Sequence, residues 1–406
     1  MFDKTISAAD YPSIQAAVDA VERFGTLYIP AGDWHTDAFE LKSDMTLHIA
    51  AGARIIAPVT LDKHKPWKMA RETILSHCFI GMFKLNNVTI EGEGTIECNG
   101  HHFWSNFDNA PDEVVLPLGN WKAVYKPLPF RPVGIMAIEC RNIKFRNFTM
   151  SNSAAYGIWV LGSDQVRFEN MTVKSYRRGP NTDGFDIDCC SNVWVTGCNL
   201  NAGDDCIALK SDTAMLGYEK PCEHIVISNN IISSQCCAVR IGYEGDGIIR
   251  DCVISNNVIY DTDVGVDMLS IAPEKCRFGI LHGARIERII VDNLTMNHVR
   301  FGFKLWSGYE DEDGKKSYAG YIRNISLRNM FIEADNPCWI GGEAVSDIQV
   351  ENIRMHIKRP YPFDPERKPV DMPTVWGDGY LKTPITLYRV DNIQLNNIQT
   401  TEEFAG

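Results

Sequence analysis

One short phrase recurs along most of this chain, and it restricts the possible folds more than any other feature. It reads roughly Asn-[Val/Ile]-x-[Ile/Val/Phe/Leu]. Copies stand at Asn87-Val88-Thr89-Ile90, Asn142-Ile143-Lys144-Phe145, Asn192-Val193-Trp194-Val195, Asn324-Ile325-Ser326-Leu327 and Asn392-Ile393-Gln394-Leu395, with variants at Ile225, Cys252, Ile289 and Ile348. Ile143 and Val166 are 23 residues apart, as are Ile325 and Ile348; other intervals are longer because of insertions. Each copy alternates apolar and polar residues, so every second side chain points inward from a short strand. Asn and Gly punctuate the ends as turn residues. One such strand buries little alone, whereas stacked copies bury a continuous core and pair their backbones. The reading is an all-β parallel β-helix occupying residues 1–406 as a single unit. Leucine-rich repeats share the period, but their Leu-x-x-Leu-x-Leu pattern is absent.

An N-terminal capping helix is expected within about residues 10–25, where Ile14, Ala17, Val18 and Val21 form an apolar stripe. Asp10 or Ser13 would cap its start and Gly25 would end it. Three stretches break the rhythm, residues 100–133, 212–222 and 358–386, the last rich in proline. Long loops on a rigid scaffold commonly wall a binding site. Their Trp104, Trp121, Tyr125 and Trp376 would either stack on sugar rings or pack the loops.

The net charge of −12 and the absence of Lys/Arg runs argue against nucleic-acid and membrane-surface partners. No apolar run approaches the roughly 20 residues of a membrane span. The first residues lack the marks of a signal peptide, which suits a cytoplasmic protein unless a signal was trimmed. The 13 cysteines, an odd number, read as small buried hydrophobes in a reducing compartment.

The densest acidic sequence lies on two adjacent repeats, Asn181-Thr182-Asp183-Gly184-Phe185-Asp186-Ile187-Asp188 and Gly203-Asp204-Asp205-Cys206-Ile207-Ala208-Leu209-Lys210. Asp183 and Asp205 are 22 residues apart, one coil. That offset also sets Phe185 over Ile207 and Ile187 over Leu209. Asp205 should therefore lie over Asp183, about 4.8 Å away by strand spacing, while Asp204, of opposite parity, should point elsewhere. No basic residue stands at ±2 to neutralise the trio. Carboxyls this close hold at least one pKa high, which gives the acid and the base that glycoside hydrolysis needs. The competing uses are a solvated acidic edge or a Ca²⁺ site.

The stretch 131–211 resembles the heart of glycoside hydrolase family 28, the polygalacturonases and their relatives. The matching residues are Arg131-Pro132, Asn152-Ser153, Pro180 through Gly184, and Gly203 through Ser211; Ile29 to Gly32 and Leu47 to Ala53 resemble the family's opening. The resemblance implies a right-handed β-helix and inverting hydrolysis of a polysaccharide or oligosaccharide, with neither metal nor other cofactor. It implies Asp204 as general acid, with Asp183 and Asp205 holding and activating water. Asn181, Lys210 and Tyr156 are further candidates for contacting substrate.

Two departures from the family pattern stand out. Its Gly-His-Gly is replaced by Cys236-Cys237-Ala238, where Cys237 reads as a packing residue rather than a nucleophile, having no histidine beside it. Its Arg-x-Lys, which grips galacturonate, is replaced by Asp267-Met268-Leu269. Register puts Arg240 before Asp267 and Lys304 after it. This ladder is either a salt-bridge stack or a clamp for sugar hydroxyls, and Trp306, expected over Leu269, offers a stacking surface. An aspartate there would repel galacturonate, so another linkage is expected: rhamnogalacturonan, a modified pectin oligosaccharide or a neutral glycan, trimmed from its ends after import. Rival functions are a polysaccharide lyase and a non-catalytic glycan-binding β-helix.

Overall fold

The computed structural model describes residues 4–67, 77–105, 125–271, 283–310, 316–317, 320–358 and 383–403. Trp121, Trp376 and most of the expected loop 358–386 lie outside them. Among the described residues, 29 strands form one sheet wound on itself, nearly all in parallel register, as a right-handed parallel β-helix. One coil is the three strands Phe185–Asp188, Ser191–Thr196 and Asn199–Ala202; the next is Ile207–Ser211, Cys222–Ser228 and Ile231–Ser234. Val166, Val193, Ile225, Cys252, Ile289, Ile325, Ile348 and Ile393 stack in one continuous register. The first seven of them are buried in a single core.

The asparagine of the repeated phrase has a specific job. Asn87, Asn142, Asn192, Asn324 and Asn392 all take φ between 52° and 57°, the left-handed region that asparagine tolerates better than most residues. Each turns the chain from one face of the helix to the next. Their side chains also bond between coils: Asn142 Nδ2 donates to Asn87 Oδ1 at 2.8 Å, and Asn192 Nδ2 donates to Asp164 Oδ1 at 2.7 Å.

The cap is shorter than expected. Helix α1 spans Ile14–Ala20 and buries Ile14, Ala17 and Val18, and the Ser13 side chain accepts from Ala16 N at its start. Asp10 instead ends the 3₁₀ turn Ala8–Asp10, and Gly25 opens the strand Gly25–Ile29. The 212–222 insertion holds a one-turn helix, Thr213–Leu216, capped by Asp212. Trp104 and Tyr125 are buried and stack on each other at 5.2 Å, so both pack the loop and neither is open to a sugar.

Candidate active site

The strand Phe185–Asp188 stacks on Ile207–Ser211 in the expected register, Phe185 on Ile207 and Ile187 on Leu209. Asp183 lies just before the first strand, and Asp204 and Asp205 just before the second. The backbone ladder runs on through these bends: Gly184 N donates to the Asp205 carbonyl at 2.9 Å, and Gly157 N to that of Asp183 at 2.9 Å. A Cβ on Gly184 would sit 2.4 Å from the Cys206 carbonyl oxygen, so only glycine permits this approach. The carboxylate oxygens of Asp183, Asp204 and Asp205 can all lie within 4.8 Å of one another.

Asp204 does not point away. It occupies a bend, where strand parity has no force. Ser234 Oγ donates to its carbonyl, and its own Oδ1 accepts from Asp205 N at 3.0 Å. These bonds turn its carboxyl toward the other two.

The trio is also not without cations. Arg240 donates to Asp205 through Nε at 3.1 Å and Nη2 at 3.4 Å. Lys210 Nζ sits 2.8 Å from Asp186, 3.3 Å from Glu244 and 3.8 Å from Asp183, and donates to the Tyr156 hydroxyl at 2.9 Å. Arg240 comes from the coil after that of Asp205, and Lys210 from the coil after that of Asp183, so neither stands near its partner in sequence. Lys210 is 2% exposed, so it supports the aspartates from beneath. Tyr156, largely buried, braces it. Asn181 is exposed, and its Oδ1 accepts from Arg131 Nη2 at 2.8 Å. Arg131, fully buried, also donates to the carbonyls of Ala154 and Pro180, fixing the loop that carries Asp183.

These surroundings separate the three carboxyls. Burial, then the charge of Asp205, pushes Asp204 up to about 7. Burial, then Asp186 and Asp204, holds Asp183 well above the usual carboxylate range. Burial acts on Asp205 too, but Arg240 outweighs it and keeps that carboxyl below the usual range. The cluster thus carries a proton near neutral pH beside a firm carboxylate. The same oxygens are near enough to share a metal ion, but Arg240 and Lys210 already neutralise them. Metal binding would also have to expel the proton.

On the next coils, Arg240 pairs with Asp267 and Asp267 with Lys304 in register. Arg240 Nη1 donates to Asp267 Oδ2 at 2.6 Å, and Lys304 Nζ lies 3.5 Å from the same oxygen. Asp267 is 1% exposed, so the ladder takes the form of a salt-bridge stack, with no room for a sugar hydroxyl on Asp267. Trp306 lies over Leu269 as expected and stacks loosely on Tyr388 at 6.1 Å. Cys237 is buried; burial pushes its thiol up to about 12, unlike a nucleophilic cysteine. Asp186, Glu244 and the placement of Arg131 were not anticipated. The outward parity of Asp186, shared with Lys210, was the available signal.

A model of the family described as "Glycosyl hydrolases family 28" matches residues 22–356. A probable polygalacturonase of Vitis vinifera is 26% identical over 370 residues, covering 85% of this chain and 70% of the relative. The exo-poly-alpha-D-galacturonosidase of Dickeya chrysanthemi is 25% identical over 389 residues, covering 83% and 62%. The family 28 exopolygalacturonase of Yersinia enterocolitica superposes with a TM-score of 0.75 over 99% of this chain and 76% of that one, at 19% identity. That of Thermotoga maritima gives 0.69, covering 87% of each chain, at 19% identity. At these identities the two structures speak for the fold. With the family match spanning most of its length and three carboxyls gathered on one face, this chain belongs to glycosyl hydrolases family 28 and is a glycoside hydrolase.

Proposed function

We propose that the enzyme hydrolyses O-glycosidic bonds of pectin-derived or related plant cell-wall oligosaccharides by inversion. Asp204 protonates the leaving oxygen, and Asp205 and Asp183 hold and activate the attacking water. The observation that carries this reading is the split between neighbours: Asp204 keeps its proton up to about pH 7, while Arg240 keeps Asp205 ionised beside it. Asp205 then takes the proton of the water as the glycosidic bond breaks. Asp183, with Lys210 3.8 Å away, orients that water.

Spacing favours one second reading. Acid and base carboxyls that flank a water usually stand about 6.5–9.5 Å apart, and those of retaining enzymes about 5–5.5 Å. One oxygen from each of the three lies within 4.8 Å of the others, which is nearer the retaining spacing and would make Asp205 a nucleophile. In the inverting reading the water sits to one side of the trio rather than between acid and base. The anomer released first, followed by NMR, separates the two: inversion is expected, and retention would move Asp205 to the nucleophile's role. Asp204→Asn should lower kcat by about 100-fold or more without loss of fold; turnover near wild type would remove Asp204 from the acid's role. Activity on imported oligosaccharides inside the cell belongs to the same proposal. The described cysteines, all unpaired and buried, support it.

A further inference from the structure

Beside Asp205, two cations share one carboxylate. Arg240 Nη1 donates to Asp267 Oδ2 at 2.6 Å, Lys304 Nζ lies 3.5 Å from that oxygen, and Cys237 Sγ reaches it at 3.6 Å. Asp267 comes from the middle coil of three. Its carboxylate therefore stands between a guanidinium one strand away and an ammonium one strand away on the other side. That is how proteins hold a bound carboxylate, except that this one belongs to the chain itself. Its second oxygen, Oδ1, is buried and makes no hydrogen bond among the described residues. A buried, unbonded carboxylate oxygen costs stability, against which stand the ion pairs of Oδ2 with Arg240 and Lys304. Beside the ladder, on the same coils and the next, Cys236, Val264, Phe301, Trp306 and Trp339 form a buried apolar cluster outside the bore of the helix.

We propose that Asp267 is a built-in occupant of a carboxylate seat between Arg240 and Lys304, and that the sugar unit bound on that side of Asp205 is uncharged. A uronate arriving there finds both cations already engaged and meets the charge of Asp267. A sugar without a carboxylate meets neither problem. The substrate half of this inference rests on the hydrolase reading; the seat itself does not.

Two measurements on the full chain separate the two. The first needs no turnover. Asp267→Ala empties the seat, and its Tm should rise with sodium acetate over sodium chloride at equal ionic strength, a dependence that wild type lacks. A ligand bound only by the folded state stabilises it by mass action. A folded Asp267→Ala variant indifferent to acetate overturns the seat. The second compares kcat/KM for a pectic oligosaccharide bearing galacturonate next to the cleaved bond with its carboxyl-reduced counterpart. Wild type should favour the reduced substrate by about tenfold or more, and Asp267→Asn should move that ratio about tenfold toward the acidic one. A wild type preferring the acidic substrate, or an unchanged ratio in Asp267→Asn, overturns the assignment. Asp267→Asn, nearly the same shape, carries the test if Asp267→Ala does not fold. If wild type cleaves neither substrate, the hydrolase reading fails for this class of sugar, and the acetate arm still decides the seat.

Discussion

Asp204 and Asp205 are chain neighbours with opposite chemistry, and the difference comes from what each touches. Asp205 carries Arg240 on both its oxygens; Asp204 has burial and a neighbouring charge instead. Hydrolysis needs the first ionised and the second protonated. Activity should therefore fall as pH rises through about 7, where Asp204 loses its proton, and on the acid side only below the usual carboxylate range, where Asp205 gains one. Arg240→Gln removes the charge that holds Asp205 down, so its acid limb should move up in pH. A pH profile of kcat/KM for both proteins checks this; an unmoved acid limb would detach Arg240 from the control of Asp205. The trio was legible in the sequence from two motifs one coil apart. The direction of Asp204 was not, because parity describes strands and Asp204 sits in a bend.

At the scale of the element, the recurring asparagine links sequence to turn geometry. Asn192 stands at φ 57° and bonds to Asp164 on the preceding coil. A β-branched residue cannot hold that backbone cheaply and loses the bond as well. Asn192→Val should destabilise by about 2 kcal/mol, and Asn192→Gly by about 1 kcal/mol or less, since glycine accepts the same φ. Denaturant unfolding of both variants would show it, and equal losses would mean that the left-handed turn is not what the asparagine secures. Turn and strand were both readable here, because the strand period and the turn residue are local properties. The side-chain bond from Asn192 to Asp164 was not, since it joins residues a whole coil apart.

Across the whole molecule, four carboxyls on the outward face bind protons more tightly when folded. Burial with Asp212 lifts Asp188 to about 7, burial lifts Asp186 to about 6 against the pull of Lys210, Asp204 reaches about 7, and burial with Asp186 and Asp204 holds Asp183 well above the usual carboxylate range. Unfolded, each returns to about 3.9. Between about pH 4 and pH 7 the folded chain thus holds protons that the unfolded chain has released, so stability falls as pH rises through that window. Asp205 has the opposite sign, but its contribution is lost only at more acid pH. The Tm should be higher at pH 5 than at pH 8, and Asp188→Asn should flatten the slope. A Tm that rises over that interval would show that the cluster is ionised throughout.

The amino-acid sequence determined the coil: the asparagine turn, the inward apolar column and the register that sets Asp183 under Asp205 follow from repeat and parity, which are properties of short stretches. It also placed Arg240, Asp267 and Lys304 in one column by counting. Only the tertiary structure decided how charge is shared across coils. Which cation neutralises which carboxylate depends on side chains from strands tens of residues apart meeting a few ångströms from one another, where burial strengthens every pairing.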